Sequence, residues 1–188
     1  MKITAVIMCS GLSRRMGKNK LLMEFRGHKM FEYVFDAVAA CDFYNVIVVT
    51  AYDEIAAYSN KFKVIYNTEN YKGLSSSIRL GTINSGDCDG IMFLTADQPF
   101  IDKETINRLN CMFCKENKII VPKVKNMPKN PVVFPTKYKN ELSALKDEEG
   151  GRSIYSRHKS DICWVSFDDD RPFLDIDTVY EFDKFNGL

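Results

Sequence analysis

The sequence predicts an α/β fold: a mostly parallel sheet with helices on both faces, in a Rossmann-like three-layer α/β/α arrangement. Two observations carry this prediction. Short apolar runs such as Ala5-Val6-Ile7-Met8 and Val46-Ile47-Val48-Val49 alternate along the chain with segments of helical spacing. These runs are uninterrupted, with no polar residue at every second place, as expected of strands covered on both faces.

Residues 2–9 form the first strand, ending at Ser10-Gly11. Met30, Phe31, Val34 and Val38 recur at helical spacing and define a helix over residues 30–40. Residues 45–50 are a second buried strand, 53–60 a helix and 63–66 a third strand. A helix over 75–82 begins just after Gly73, and residues 90–95 make a fourth strand. Asp102 has the side chain of an N-cap, for a helix running to about residue 115. Short strands at 118–121 and 132–134, helices at 138–145 and 151–157, a strand at 162–167 and a helix at 179–185 complete the order. Residues 123–131, rich in Lys, Asn and Pro, read as a surface loop. With no repeat and no linker, residues 1–188 are expected to form one domain.

Composition narrows the function classes. Hydrophobic residues are 45% and charged residues 27%, as in a globular protein that folds in water. A formal net charge of +1 leaves no basic field to recruit nucleic acid. No apolar run is long enough to cross a bilayer, and Met1-Lys2 runs directly into the first strand, so a cytoplasmic protein is expected. Cys111 and Cys114 have C-x-x-C spacing, but no second pair exists and His28 and His158 lie far away. They read as thiols on an amphipathic helix in a reducing compartment, without a metal.

In an open α/β sheet, ligands bind beyond the carboxyl ends of the strands. Three segments occupy such places: residues 10–20, Asp97-Gln98-Pro99, and Asp175-Ile176-Asp177-Thr178. The first joins Gly11 and Gly17 with Ser10, Ser13, Arg14, Arg15, Lys18 and Lys20. Glycines let a backbone approach a ligand, its N–H groups can cradle phosphate oxygens, and Arg15 and Lys20 supply the charge a triphosphate needs. The spacing is neither that of a Walker A loop nor that of the dinucleotide fingerprint, which disfavours a dehydrogenase.

Met8-Cys9-Ser10-Gly11-Leu12-Ser13-Arg14-Arg15-Met16-Gly17, followed by Lys20-Leu21-Leu22, resembles the signature of the molybdenum cofactor nucleotidyltransferases. It is most similar to the cytidylyltransferase branch, because the guanylyltransferase branch usually carries a second glycine in this turn. The resemblance continues in order through Asn67-Thr68-Glu69-Asn70-Tyr71-Lys72-Gly73-Leu74-Ser75-Ser76-Ser77-Ile78-Arg79-Leu80-Gly81, Leu94-Thr95-Ala96-Asp97-Gln98-Pro99-Phe100, Asn130-Pro131-Val132-Val133-Phe134, Glu149-Gly150-Gly151-Arg152 and Asp175-Ile176-Asp177-Thr178. Ala96 stands where the family usually has glycine, and Lys129-Asn130 where it often has glycine and histidine.

The resemblance implies a nucleotide-diphospho-sugar transferase type of fold and an activity: transfer of CMP from CTP to molybdopterin, with release of pyrophosphate and with Mg²⁺ as cofactor. It implies catalytic roles for Lys20, Arg15 and Asp97. Ser10, Gly11, Leu12, Ser13, Arg15, Lys20, Gly73 and Ser77 would bind the nucleotide, and Asn130 and Arg152 the acceptor. Asp97 and Asp177 would hold the metal, with Asp175 as the alternative second ligand. A molybdoenzyme would be the protein partner that receives the product. Two other readings share these residues: a transferase acting on a sugar phosphate or other phosphorylated acceptor, and a non-catalytic carrier serving a molybdoenzyme.

Overall fold

The computed structural model describes residues 1–13, 16–59 and 61–187. Its elements in chain order are β1 (Ile3–Cys9), β2 (Glu24–Phe25), β3 (His28–Lys29), α1 (Met30–Ala39), β4 (Asn45–Thr50), α2 (Asp53–Tyr58), β5 (Lys63–Tyr66) and α3 (Leu74–Asn84). They continue with β6 (Gly90–Thr95), α4 (Lys103–Glu116), β7 (Ile119–Val124), β8 (Met127–Pro128), β9 (Val132–Pro135), α5 (Lys139–Ser143), α6 (Gly151–Arg157), β10 (Ile162–Phe167) and α7 (Val179–Asn186).

The main sheet runs β10-β7-β9-β6-β1-β4-β5, with β8 added to β7. β1 is central and pairs in parallel with β4 and β6. It is apolar because it is covered on both faces, and Ala5, Val6 and Ile7 are wholly buried. Successive side chains point to opposite faces of a strand. Ala5, Ile7, Met92 and Leu94 accordingly join Phe31, Val34, Ile106 and Phe113 in one core. Val6, Ile47, Val49, Ile91 and Phe93 join Ile78, Leu142 and Ile154 in the other. The three-layer architecture follows from this. α3 approaches β1 closely because Gly81 carries no side chain; a Cβ there would lie 2.4 Å from Val6 Cγ1.

The structure corrects the reading of residues 123–131 as a loop. β7 continues to Val124, turns at Lys125 and Asn126, and returns as β8. Both turn residues have positive φ, 48° and 65°, the signature of a two-residue hairpin turn matched to strand twist. A second small hairpin, β2–β3, turns the same way at Arg26 and Gly27. Strands of two residues are too short to show any period. β9 departs from the parallel pattern, lying antiparallel between β6 and β7.

A third cluster, Met16, Phe25, Met30, Ile176 and Phe182, packs the first hairpin against α7 and the segment before it. Phe25 sits at its centre, edge-on to the rings of Tyr33, Phe100 and Phe182 with centroids 5.9, 5.8 and 5.6 Å away. This packing returns the end of the chain to the loop that follows β1.

Candidate active site

β4 is reached through α1 on one face of the sheet and β6 through α3 on the other, so the carboxyl end of β1, which lies between them, is where an open α/β sheet forms its ligand crevice. A cavity of about 490 Å³ lies there. Ser10, Gly11, Leu12, Ser13 and Lys20 line it from the loop after β1. Gly73 and Ser77 line it from the start of α3, Asp97 from the segment after β6, and Asp177 from the segment before α7. Asn130 and Arg152 are exposed and do not line it. Arg14 and Arg15 lie outside the described residues.

Local hydrogen bonds shape the loop. Ser10 is buried and its Oγ donates to the Val49 carbonyl at 3.1 Å. The Gly11 carbonyl accepts from the Tyr52 hydroxyl at 2.6 Å. Ser13, at φ 47°, folds the chain back: its carbonyl accepts from Met16 N at 2.9 Å and its Oγ from Lys20 N at 3.2 Å. Asn19 then caps a single 3-10 turn, Lys20–Leu22, by accepting from Leu21 N at 3.1 Å.

That turn aims Lys20 inward. Its residue is 8% exposed, and Nζ lies 2.7 Å from Asp97 Oδ2 and 2.6 Å from Asp177 Oδ1. Burial pulls the ammonium's pKa down, but the charges and hydrogen bonds of Asp97 and Asp177 outweigh it and hold the pKa above the ordinary lysine value. Asp175, exposed and not among the residues that line the cavity, is different. Protein packed around its carboxyl, and then the charges of Asp97 and Asp177, push it up to about 7.

The two carboxylate segments are tied together. The Asp97 carbonyl accepts from Ile176 N at 3.0 Å. Gln98, itself buried, bonds the Phe173 carbonyl at 3.4 Å and the Asp175 carboxylate. Glu181 closes a capping box at the start of α7, its Oε2 accepting from Asp177 N at 3.0 Å, Thr178 N at 2.9 Å and Thr178 Oγ1 at 2.9 Å.

The donor set fits a magnesium ion. Asp97 Oδ1 is buried without a hydrogen-bond partner among the described residues, a free oxygen beside a lysine. Magnesium is usually held by one or two carboxylates together with substrate phosphates and water. Among the described residues no group of three or more His, Cys, Asp or Glu forms a closed metal cage. Cys111 and Cys114 are free, exposed thiols on α4.

Several residues of the site went unassigned in the sequence. Asn67 is buried, and its Nδ2 donates to Ser76 Oγ at 2.9 Å and Ser77 Oγ at 3.1 Å. Asn70 Nδ2 donates to the Ser10 carbonyl at 3.2 Å, fastening the loop after β5 to the loop after β1. Asn67 opens the second matched segment and directly follows a strand, two signals that could have given it a role. Glu148 also lines the cavity, and its acidic neighbours make it read as solvated surface.

With this geometry, comparison with known proteins is informative. The family model of the MobA-like NTP transferase domain matches residues 5–162. The chain is 31% identical over 123 residues to a probable molybdenum cofactor guanylyltransferase of Natranaerobius thermophilus, covering 64% of this chain and 60% of that protein. It is 28% identical over 189 residues to the molybdenum cofactor guanylyltransferase of Vibrio atlanticus, covering 97% and 95%. Among solved structures, molybdopterin-guanine dinucleotide biosynthesis protein A from Archaeoglobus fulgidus superimposes with a TM-score of 0.75 at 18% identity, over 98% and 97% of the two chains. Rv0371C of Mycobacterium tuberculosis H37Rv, solved in complex with manganese, gives 0.83 at 19% identity over 100% and 99%. At these identities the structural likeness shows the fold.

Proposed function

Because the chain belongs to the MobA-like NTP transferase family, and so to the nucleotidyltransferases, we propose that it transfers CMP from CTP to molybdopterin and releases pyrophosphate. One observation carries the reading: Lys20 Nζ stands 2.7 Å from Asp97 and 2.6 Å from Asp177 in a cavity shaped by the loop after β1.

The acceptor's phosphate oxygen attacks the α-phosphorus in line, the α–β P–O bond breaks, and pyrophosphate leaves. Positioning and neutralisation of charge do most of this work. The backbone of Ser10, Gly11, Leu12 and Ser13 cradles the nucleotide, and Gly73 and Ser77 face its base. Lys20 moves to the α-phosphate and stabilises the charge that gathers there. Arg15 holds the leaving phosphates. Asp97 and Asp177 would hold Mg²⁺, which would supply charge neutralisation at the phosphates.

β9 pairs with β6 so that Val132 lies opposite Phe93. Asn130 is therefore at the same end of the sheet as Asp97, outside the nucleotide cavity, which supports its role, with Arg152, on the acceptor side. The product, a dinucleotide form of the cofactor, would pass to a molybdoenzyme.

Ser10 supports cytidine. It stands where the guanylyl branch usually carries glycine, in the loop that lines the cavity. The second reading is transfer of GMP from GTP, favoured by the names of the Natranaerobius and Vibrio relatives. Pyrophosphate release with Mg²⁺, molybdopterin and either CTP or GTP tests both. Release with CTP alone is the expected result. Release with GTP alone would move the assignment to the guanylyl branch. Nucleotide binding without release in either case would make the protein a carrier.

A further inference from the structure

We infer that Glu148 selects the nucleobase, accepting a hydrogen bond from a ring that bears an exocyclic amine. The inference rests on the nucleotide reading of the cavity and deepens it.

Glu148 lines the same cavity as Lys20 and Asp97, and its carboxylate lies against Gly73. A Cβ on Gly73 would stand 2.7 Å from Glu148 Cδ and 2.8 Å from both Glu148 Oε1 and the Asp147 carbonyl oxygen. Gly73 also has φ +81°, so only glycine suits it by both conformation and space. No side chain at that position screens the carboxylate from the cavity.

The segment carrying Glu148 is fastened in place. Ser75 N donates to the Asp147 carbonyl at 3.2 Å, which joins the segment to the first turn of α3. Glu149 N donates to the Lys146 carbonyl at 3.0 Å, and Lys146 N to Glu149 Oε2 at 2.8 Å. Gly150 packs on Leu74, whose Cδ2 would be 2.9 Å from a Cβ there. Glu148 itself has no hydrogen-bond or ion-pair partner among the described residues.

An ionised carboxylate only accepts hydrogen bonds, and it repels phosphate. The triphosphate belongs at Lys20, so Glu148 faces the other part of the nucleotide. Leu12, Tyr71 and Leu74 are all exposed and all line this cavity. Apolar side chains open to a cavity suit the faces of a flat ring, and a ribose would not need them. A ring between such side chains presents its edge to the carboxylate. The amines of cytosine and guanine donate from that edge, whereas uracil and hypoxanthine have no amine to donate.

The test is calorimetric titration of the full chain with Mg²⁺ complexes of CTP, UTP, GTP and ITP, for the wild type and Glu148→Ala. A hydrogen bond to a charged group is worth roughly tenfold or more in affinity. The wild type should favour the amine-bearing member of its preferred pair by about that factor. Glu148→Ala should bring the ratio close to one with its melting temperature unchanged. A CTP/UTP and GTP/ITP ratio that is flat in the wild type, or unmoved in the variant, would overturn the inference alone. So would a variant that, titrated also with 2′-deoxyCTP and 2′-deoxyGTP, loses discrimination only between ribo and 2′-deoxy nucleotides, which would make Glu148 a reader of the sugar. Failure of the wild type to bind any of the four would overturn the nucleotide reading itself, and this inference with it.

Discussion

The backbone N–H of Ile176 donates to the carbonyl of Asp97 at 3.0 Å, so the segments carrying Asp97 and Asp177 are joined before any ligand arrives. The two carboxylates are thus pre-positioned, with Lys20 as the cation between them. Pre-positioned charge avoids reorganisation at the moment of reaction.

Asp97→Asn keeps the shape of the side chain and removes its charge. Turnover should fall by about two to three orders of magnitude, the cost of losing one pre-positioned electrostatic group. Mn²⁺ affinity in the presence of nucleotide should fall with it. Pyrophosphate release and Mn²⁺ titration measure the two effects, and wild-type behaviour in both would remove Asp97 from the metal site.

Lys20→Met should separate two roles of the lysine. In the free protein its ammonium occupies the space between Asp97 and Asp177. Removing it should strengthen Mn²⁺ binding without nucleotide, because the ammonium no longer competes with the metal for Asp97 and Asp177. The catalytic rate should fall more than nucleotide affinity, since the contact with phosphate strengthens in the transition state. Lys18→Met, an exposed lysine in the same loop, serves as the charge control and should change Mn²⁺ binding little. Equal effects from both variants would reduce the Lys20 result to long-range charge.

Glu181→Ala removes the acceptor shared by Asp177 N, Thr178 N and Thr178 Oγ1. Loss of a helix cap costs about 0.5–2 kcal/mol, which lowers the melting temperature by a few degrees. Because Glu181 also holds the Asp177 backbone, the Mg²⁺ concentration needed for half-maximal rate should rise more than kcat falls. A change in melting temperature alone would confine Glu181 to stability.

Acid stability should depend on Asp161. Burial pushes its carboxyl up, but hydrogen bonds from Lys137 and Tyr138 and the charge of Lys137 outweigh that and hold it below the ordinary aspartate value. Its folded pKa lies below its unfolded one. The stabilisation is therefore fully present above the ordinary aspartate range, near 3.9, and is lost as pH falls through the folded value. Asp161→Asn should flatten the acid limb of a melting-temperature profile against pH below about 4 and leave its slope near neutrality unchanged.

How much of this was legible in the sequence differs by element. β4, β5, β6, β10 and helix α6 have the bounds expected from their apolar runs and helical spacing, and β1, α1 and α4 differ by a residue or so. Asp102 caps α4 as its position suggests, accepting from Thr105 N at 2.7 Å. Such features depend on residues close along the chain, where propensity and period act. The expectation that ligands lie beyond strand ends similarly marked the loop after β1 and Asp97 as candidates.

Other features depend on segments far apart in the chain. The antiparallel course of β9 comes from packing between β6 and β7, and a strand's apolar run is the same in either direction. Lys20 meets partners 77 and 157 residues away, brought to it by Phe25 and the cluster under α7. Glu148 reaches the cavity only because its segment is bonded to the start of α3. The sequence by itself determined the order of strands and helices and the loops able to carry charge to a strand end, because short-range periodicity encodes them. Only the tertiary structure decided which charges meet, because hydrophobic burial folds distant segments together and no local pattern records that choice.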